Sequence, residues 1–423
     1  MKNIISTILL TILFSMFYFP IEFYVLPGVN SKMVIAVCGL ATLVMNRLIS
    51  KDKIVSHLFF GVVSISLIFS LISYISVVYN NTNDLVYATY IIKMSVWLIG
   101  AYFVVSVIKW IHGRISFQLL FHYLAIVCVM HCVLALLIDN IPSLENWVMN
   151  TFVDKYEFIK RNDRLYSIGA SFDTAGVRFT TALIGLIYLM MNKRSNSSFI
   201  LHMMMWAVIV VVGSAMSRTT SIGAIVSLVY LLFSKMTFGW IVTYKTMKLL
   251  VGISLFVCLG LFIVFYCYYN IPAFKDYMEF GFQNFFNYGR SGEFTSNSTR
   301  NLMNMFILPD NFKTWIIGDA IFDIQGGFYM STDIGYLRFI FYCGIIGLIS
   351  FISLFVFMTI ELCKKWPQLK GLFVILLLWQ FLVWIKISTD IFLTFALLAL
   401  VPVMGDKIGP IFNKNKGDLS YDS

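Results

Sequence analysis

The chain has 423 residues, of which 59% are hydrophobic, 17% aromatic and only 12% charged. A soluble protein has about 25% charged residues, so this composition excludes an ordinary soluble fold. The net charge of +10 could suit nucleic acid, but most Lys and Arg residues lie in short connectors between apolar runs. That distribution is typical of the cytoplasmic loops of a membrane protein, and we expect no nucleic-acid partner.

Apolar runs of 18 or more residues recur along nearly the whole chain, and each can cross a hydrocarbon core of about 30 Å as a helix. The sequence therefore predicts an all-α fold, a polytopic membrane helical bundle that forms a single integral membrane domain over residues 1–423 and contacts membrane lipids. About twelve transmembrane helices are predicted, at residues 4–25, 33–49, 55–78, 85–108, 117–138, 174–191, 199–216, 219–234, 248–269, 334–360, 369–386 and 388–404.

Basic residues alternate between the connectors. Every second connector carries Lys or Arg, and the short connectors between them are nearly free of cations. Because Lys and Arg are enriched in cytoplasmic loops, we expect both termini in the cytoplasm.

Two long connectors, residues 139–173 and 270–333, then lie on the external side. Their aromatic content is too high for disordered segments. Spacings of three and four residues between apolar side chains predict an amphipathic helix over 274–286, and a second helix is predicted over 144–159 with Ser143 as its N-cap.

Arg218 lies in the turn Ser217-Arg218-Thr219 between the seventh and eighth predicted spans. Its guanidinium can extend to lipid headgroups or point into a cavity and bind an anion. Further external arginines favour the anion site, since Arg binds phosphate through a planar bidentate fork. They are Arg164, Arg178, Arg290, Arg300 and Arg338.

Two external aspartates precede predicted spans. Asp173 comes just before the sixth span and Asp333 just before the tenth. Each can stabilise a helix N-terminus, or act near the arginines as a base toward a hydroxyl. Glu293 is a further candidate base on the same side.

In the fifth predicted span, Cys128, His131 and Cys132 lie one turn apart and His122 is on the same helix, which raises the alternative of a metal site. Soft ligands at positions i and i+4 can bind zinc, but the stretch is otherwise apolar and ordinary packing accounts for it better. We expect no metal and no cofactor. Lys93, which interrupts the fourth span, is a candidate functional cation, with Asp390 as a partner.

Several of these segments together resemble the bacterial O-antigen polymerases, the Wzy family. Residues 164–178 resemble the entry to that family's central spans, and Ser217-Arg218-Thr219 resembles its Ser-Arg-Ser/Thr turn. The segment Asn301 to Asp319 has a glycine near its end, Gly318, as in that family. Residues 332–337 and the following Cys-Gly-Ile-Ile-Gly at 343–347 are similar to its Asp-Ser-Gly-Tyr and Gly-Ile-Ile-Gly stretches. The likeness covers roughly residues 160–350, although Gly176 comes one residue late for the family's Arg-x10-Gly pattern from Arg164.

The resemblance implies a metal-independent membrane glycosyltransferase with a GT-C-like fold in the bacterial inner membrane. It would polymerise undecaprenyl-diphosphate-linked oligosaccharide repeat units of lipopolysaccharide at the periplasmic face, with a separate chain-length regulator as a possible partner. The implied catalytic residues are Asp333, Arg218 and Asp173. The implied diphosphate-binding residues are Arg164, Arg178, Arg290, Arg300, Arg338 and Tyr336.

Three alternatives stay open. O-antigen ligases share this architecture but use an external histidine just before the corresponding late span, where this chain has Asp333. A lipid-linked oligosaccharide flippase or other transporter would line its membrane interior with charges, and few charges interrupt these spans. A non-catalytic scaffold is the third alternative.

Overall fold

A computed structural model describes residues 2–50, 57–153, 164–192, 196–235, 251, 262, 264–293, 295–325 and 327–404. Within these ranges, seven helices are long and apolar enough to cross a membrane, and four further apolar helices have 10–17 residues. The architecture is that of an all-α, multi-pass membrane bundle, as the composition predicts.

The helices follow one another closely in the chain. The first nine are α1 Lys2–Tyr18, α2 Ser31–Ser50, α3 His57–Asn80, α4 Tyr90–His112, α5 Phe117–Asn140, α6 Pro142–Thr151, α7 Phe172–Met191, α8 Asn196–Met216 and α9 Thr219–Lys235. The others are α10 Pro272–Gly281, α11 Gln283–Ser291, α12 Asn297–Asn304, α13 Phe312–Ile316, α14 Gly335–Lys365, α15 Lys370–Trp384 and α16 Phe392–Met404. Residues 264–270 are also helical, and a two-stranded antiparallel hairpin pairs β1 (Asp323–Ile324) with β2 (Gly327–Phe328).

Eleven of the twelve predicted spans overlap one of the helices α1 to α16. The ninth, at 248–269, lies mostly outside the described residues. The first span is shorter than predicted because α1 ends at Tyr18. Pro20 follows closely, and a proline disfavours helical backbone at the residue before it.

The described parts of the two long connectors and the helix ends beside them form one face of the bundle, which we call the loop face. In the first connector, α6 begins at Pro142 and its N-cap residue is Ile141. The predicted N-cap at Ser143 is therefore wrong, since proline is favoured at the first helical position, where its missing N–H is not needed. Of the predicted helix over 144–159, residues 144–151 are helical, and residues 154–163 lie outside the described chain.

In the second connector, the predicted helix over 274–286 is present as two helices, α10 and α11, which meet at Phe282. Met278 and Gly281 are buried on the side that faces the bundle, whereas Phe285 and Tyr288 are exposed. The amphipathic pattern thus has the expected consequence that one side of the pair packs on the bundle.

Aromatic side chains fill the centre of the bundle between α3, α14 and α15. The ring of Phe351 lies 4.7 Å from Phe69, 4.7 Å from Phe339 and 5.5 Å from Trp384, measured between ring centroids. Each such pair stabilises the fold by about 0.5–1.5 kcal/mol beyond its buried area. The rings fix α14, which carries the second connector back into the bundle.

A kink in α14 attaches the second connector to the bundle. At Cys343 and Gly344 the backbone leaves the helical conformation, with φ of 67° at Gly344. The interruption leaves the carbonyl oxygens of Phe341 and Tyr342 to accept hydrogen bonds from the backbone N–H groups of Asp319, at 2.6 Å, and Ala320, at 3.0 Å. A Cβ atom at Gly344 would overlap the backbone of α13, so glycine is required there.

Candidate functional site

A cleft of about 170 Å³ opens at the loop face. Its charged lining comes from five separated parts of the chain, and its other lining residues are Asn301, Leu302, Met305 and Ile387. We call it the charged cleft and define it by Arg164, Asp173, Arg218, Asp333 and Lys386. Four of these five were predicted, namely Arg164, Asp173, Arg218 and Asp333, and the fold brings them together from three distant segments of the chain.

The turn that carries Arg218 is fixed against α7. Gly176 lies so close to Ser217 and Thr219 that a Cβ atom at this position would crowd both side chains. Asp173 Oδ1 accepts hydrogen bonds from Thr219 Oγ1 at 2.6 Å and from Ser217 Oγ at 3.2 Å. The side chain of Asp173 is therefore engaged with this turn, and the N-cap position of α7 belongs to Ser171.

Two guanidinium groups share one aromatic ring in the cleft. The Cζ atoms of Arg218 and Arg164 lie 4.2 and 4.8 Å from the centroid of the Phe280 ring. Arg218 Nε donates a hydrogen bond to the Phe280 carbonyl oxygen at 2.9 Å, and Arg164 Nε is buried without a hydrogen-bond partner among the described residues. Burial, followed by the charge of Arg164, lowers the pKa of Arg218 to about 10. A bound anion would relieve this repulsion between like charges.

Asp333 also lines the cleft and is held by Arg338. Arg338 Nη1 lies 3.4 Å from Asp333 Oδ1, and its Nη2 donates to Asp323 Oδ1 at 2.9 Å. The Arg338 side chain is 4% exposed and stacks on Phe322 and Phe328, at 3.6 and 4.6 Å. Burial raises the pKa of Asp333 to about 6 even though Arg338 opposes the shift. The carboxylate is therefore ionised at neutral pH but can accept a proton readily.

Lys386 is the lining residue that sequence reasoning missed. It lies in the short connector 385–391 between α15 and α16, and its Nζ donates to Asp173 Oδ1 at 2.6 Å and to Thr219 Oγ1 at 3.2 Å. The predicted eleventh span, 369–386, ends at Lys386. A lysine at the external end of an apolar run is the signal that could have found this residue.

The structure places the other five predicted residues outside the charged cleft. Arg290 and Arg300 are exposed and paired with Glu279 at 2.7 Å and Glu293 at 3.3 Å, so water and a carboxylate already satisfy them. Tyr336 donates its hydroxyl to the Phe381 carbonyl oxygen at 3.0 Å. Arg338 is buried in its two ion pairs behind Asp333. Arg178 instead contacts the rings of Tyr18, the last residue of α1, and of Phe19, which follows it.

An apolar groove of about 300 Å³ continues from the charged cleft between α9, α11 and α15. The two share Arg218, Leu302, Lys386 and Ile387 as lining residues. Most of the remaining groove wall is hydrophobic and includes Val177, Ile222, Ile225, Trp379, Leu382 and Val383. A molecule with a charged head and an apolar chain can therefore occupy both at once.

The alternative metal site in α5 lacks the geometry to bind zinc. His131 Nε2 lies 2.9 Å from Ser15 Oγ, and its Nδ1 lies 2.9 Å from Ser167 Oγ, so both ring nitrogens are engaged. No group of three or more potential His, Cys, Asp or Glu ligands occurs among the residues that could be searched. His122 contacts His202 on α8 at 3.4 Å, away from this trio.

Comparison of the chain with protein-family models, with curated proteins and with solved structures gives no match. Functional inference therefore depends on the chemistry of the charged cleft and on the resemblance of the sequence motifs.

Proposed function

We propose that this protein is a polysaccharide polymerase of the Wzy class with a GT-C-like architecture. It would act in the bacterial inner membrane, with both termini in the cytoplasm and the loop face in the periplasm. Its substrates would be oligosaccharide repeat units linked to undecaprenyl diphosphate. The observation that supports this best is the convergence of Arg164, Arg218 and Lys386 with two carboxylates in one cleft.

The cleft supplies the groups that such a transfer needs. A hydroxyl of the acceptor sugar attacks the anomeric carbon of the donor chain, and the bond from that carbon to the diphosphate oxygen breaks. Arg164, Arg218 and Lys386 stabilise the negative charge that develops on the departing diphosphate. The Asp333 carboxylate takes the proton of the attacking hydroxyl, and its pKa of about 6 suits a general base near neutral pH. Asp173 orients Lys386 and the Arg218 turn.

The apolar groove supports a lipid-linked substrate. A diphosphate in the charged cleft would have its prenyl chain beside α9 and α15, where the groove wall is largely hydrophobic. Burial of a CH₂ group contributes about 0.8 kcal/mol, so even a few isoprene units give substantial affinity. A water-soluble sugar nucleotide would leave this groove empty.

The rival functions fit the geometry less well. A ligase of the related family would show histidine where Asp333 stands. A flippase requires charged groups along a path through the membrane, but Lys93 and Arg178 lie within the first two turns of α4 and α7, close to the loop face. This position of the charges favours chemistry at one face. A separate chain-length regulator is a possible partner, as the resemblance implies.

The test is chain extension by the purified protein in nanodiscs, with undecaprenyl-diphosphate-linked repeat units as substrate. We expect a ladder of products from the wild type and from Lys364→Gln, an exposed residue paired with Glu361 on the opposite side of the bundle. Arg218→Gln should abolish the ladder while the protein keeps its melting temperature. A normal ladder from Arg218→Gln would overturn the proposal, and transfer of whole chains to a lipid core would indicate a ligase.

A further inference from the structure

The apolar groove has two unlike walls. The hydrophobic wall belongs to α7, α9 and α15, and a prenyl chain accounts for that wall alone. The other wall comes from the second connector, where half of residues 283–304 are Asn, Gln, Ser or Thr. We call the part of it formed by Phe282, Gln283, Asn284 and Phe285 the α11 wall. These four side chains carry no charge, so the α11 wall suits a neutral polar group better than a second anion.

Asn284 brings an unsatisfied acceptor to this wall. Its Oδ1 atom is buried without a hydrogen-bond partner among the described residues, although the side chain as a whole is partly exposed. The hydroxyl groups that line the same groove are engaged within the protein. Ser296 Oγ accepts the Thr299 N–H at 3.2 Å, and Ser221 Oγ lies 3.0 Å from the Gly281 carbonyl oxygen. Because a buried acceptor without a partner is destabilising and uncommon, Asn284 is the place where a ligand would supply a donor.

The α11 wall is attached to the turn that carries Arg218. Arg218 Nε donates to the Phe280 carbonyl oxygen at 2.9 Å, and the Ser221 hydroxyl lies within hydrogen-bonding distance of the next carbonyl, that of Gly281. Asn284 comes three residues after Gly281 and is the second residue of α11. These contacts hold the amide of Asn284 at a fixed place relative to the guanidinium of Arg218. A ligand whose anionic group binds Arg218 can therefore reach Asn284 with the group next to that anion.

Aromatic rings flank the amide of Asn284. The ring centroids of Phe282 and Phe285 lie 6.5 Å apart, both rings line the groove, and Phe285 is 54% exposed. Sites for small molecules combine apolar and aromatic walls with a few polar groups that fix the orientation of the ligand. A sugar matches this combination, since its C–H faces pack on rings and its hydroxyl groups both donate and accept hydrogen bonds. An amide offers one acceptor and two donors, whereas a prenyl chain has no group that can pair with them.

We propose that Asn284 binds the sugar attached to the diphosphate, through a hydroxyl or acetamido group of that sugar. The diphosphate would lie at Arg218 and Lys386, which line both the charged cleft and the groove. The sugar would then lie against the α11 wall and the prenyl chain against α9 and α15. Asn284 selects the sugar in this arrangement, because a site with a buried hydrogen-bonding group rejects a ligand that leaves it unpaired. The placing of the diphosphate rests on the proposed function, but sugar binding can be measured without polymerisation.

The test is calorimetric binding to the full-length protein in nanodiscs, with farnesyl diphosphate and four derivatives that carry glucose, galactose, N-acetylglucosamine or N-acetylgalactosamine. We expect the wild type to bind at least one derivative about three- to tenfold more tightly than farnesyl diphosphate, the factor for one hydrogen bond. The control Asn270→Leu, which changes an exposed amide outside the groove, should keep this preference. Asn284→Leu should bind all five probes equally. Equal affinities in the wild type, or a preference that persists in Asn284→Leu, would overturn the proposal.

The melting temperature without ligand separates a binding role of Asn284 from a structural one. Asn284→Leu removes a buried oxygen that has no partner, so the melting temperature should stay the same or rise. Asn284→Ala keeps the test valid if the larger side chain is not accommodated, and it should lose the sugar preference as well. A melting temperature of both variants below that of Asn270→Leu, with the sugar preference retained, would show that Asn284 serves the fold and not the ligand.

Two comparisons distinguish this inference from its rivals. Dioctanoyl phosphatidylglycerol also has hydroxyl groups next to a phosphate. If it displaces the sugar-bearing probes from the wild type at a lower concentration than from Asn284→Leu, the site takes a lipid headgroup and the assignment to a sugar is overturned. If Arg218→Gln still gives a normal ladder while Asn284→Leu loses the sugar preference, the proposed role of the cleft fails and the sugar site stands. An abolished ladder in Arg218→Gln with an unchanged preference in Asn284→Leu would mean the reverse.

Discussion

The loop face has two kinds of arginine, and the difference between them separates a candidate binding site from a solvated surface. On the helices α10 to α12, Arg290 and Arg300 have side chains that are 60% and 59% exposed, and each is paired with a glutamate. In the charged cleft, Arg164 and Arg218 are half-buried against the same phenylalanine ring. Exposed ion pairs contribute little because water and salt screen them. Partly buried cations interact strongly with an anion that displaces the remaining water.

The largest expected effect follows directly from this contrast. Arg164→Gln/Arg218→Gln should lower the rate of chain extension by about 10²–10³-fold or more, the range for loss of one charge-stabilising donor in an active site. Arg290→Gln/Arg300→Gln should change it by less than about threefold, since those guanidinium groups already have exposed carboxylate partners. Single-turnover rates with a lipid-linked repeat measure both. Equal losses in the two double variants would remove the distinction between cleft and surface.

The next effect concerns pH. If Asp333 is the general base that we propose, it acts in its ionised form. The rate should then fall as the pH drops through the pKa of Asp333, about 6, and should level off above it. Asp333→Asn should lower the rate by about 10²–10⁴-fold. Its residual rate should also lack this fall at low pH, which we call the acid limb. Asp390 also has a pKa raised to about 6, and Asp390→Asn is therefore the matched control, which should keep the limb. A limb that persists in Asp333→Asn and disappears in Asp390→Asn would assign the base elsewhere.

A smaller effect would sharpen the role of Arg338. This residue acts on the cleft through Asp333, and its positive charge opposes the burial that raises the pKa of that carboxyl. In Arg338→Met the pKa of Asp333 should rise further, and the acid limb of the rate should move to higher pH, with the maximal rate reduced less than in Asp333→Asn. An acid limb at an unchanged pH would show that Arg338 is purely structural.

The smallest expected effect is on stability. Gly344→Ala introduces a Cβ atom into the backbone of α13 at a residue with φ of 67°, and overpacking of this kind costs about 1–3 kcal/mol. The melting temperature should fall, and chain extension at low temperature should persist. Gly289→Ala is the control, because no atom lies within 4 Å of a Cβ built there. A melting temperature for Gly344→Ala equal to that of the control would mean that α13 is not packed against the kink.

Much of the site was predictable because charge near a membrane is costly and therefore conspicuous. Arg218 lies in a tight turn between two apolar runs, and Asp173 and Asp333 lie beside predicted helix starts, so the sequence alone indicates all three as candidates. Which arginines would share a cavity was not predictable, since Arg178 and Asp173 are only five residues apart and yet face opposite sides of α7. Lys386 was not predictable for a related reason. Its place in the cleft depends on its hydrogen bond to Asp173, which is 213 positions away in the chain.

The sequence alone determined that the chain is a helical membrane bundle and where nearly all its described helices run. Length and continuity of apolar residues decide this locally, because a backbone in lipid must satisfy its hydrogen bonds within each helix. The tertiary structure alone decided which charges meet, through the packing of α7 against the Arg218 turn and the kink at Gly344. Such contacts depend on the rotation and the spacing of helices that are distant in sequence, which hydrophobic patterning does not specify.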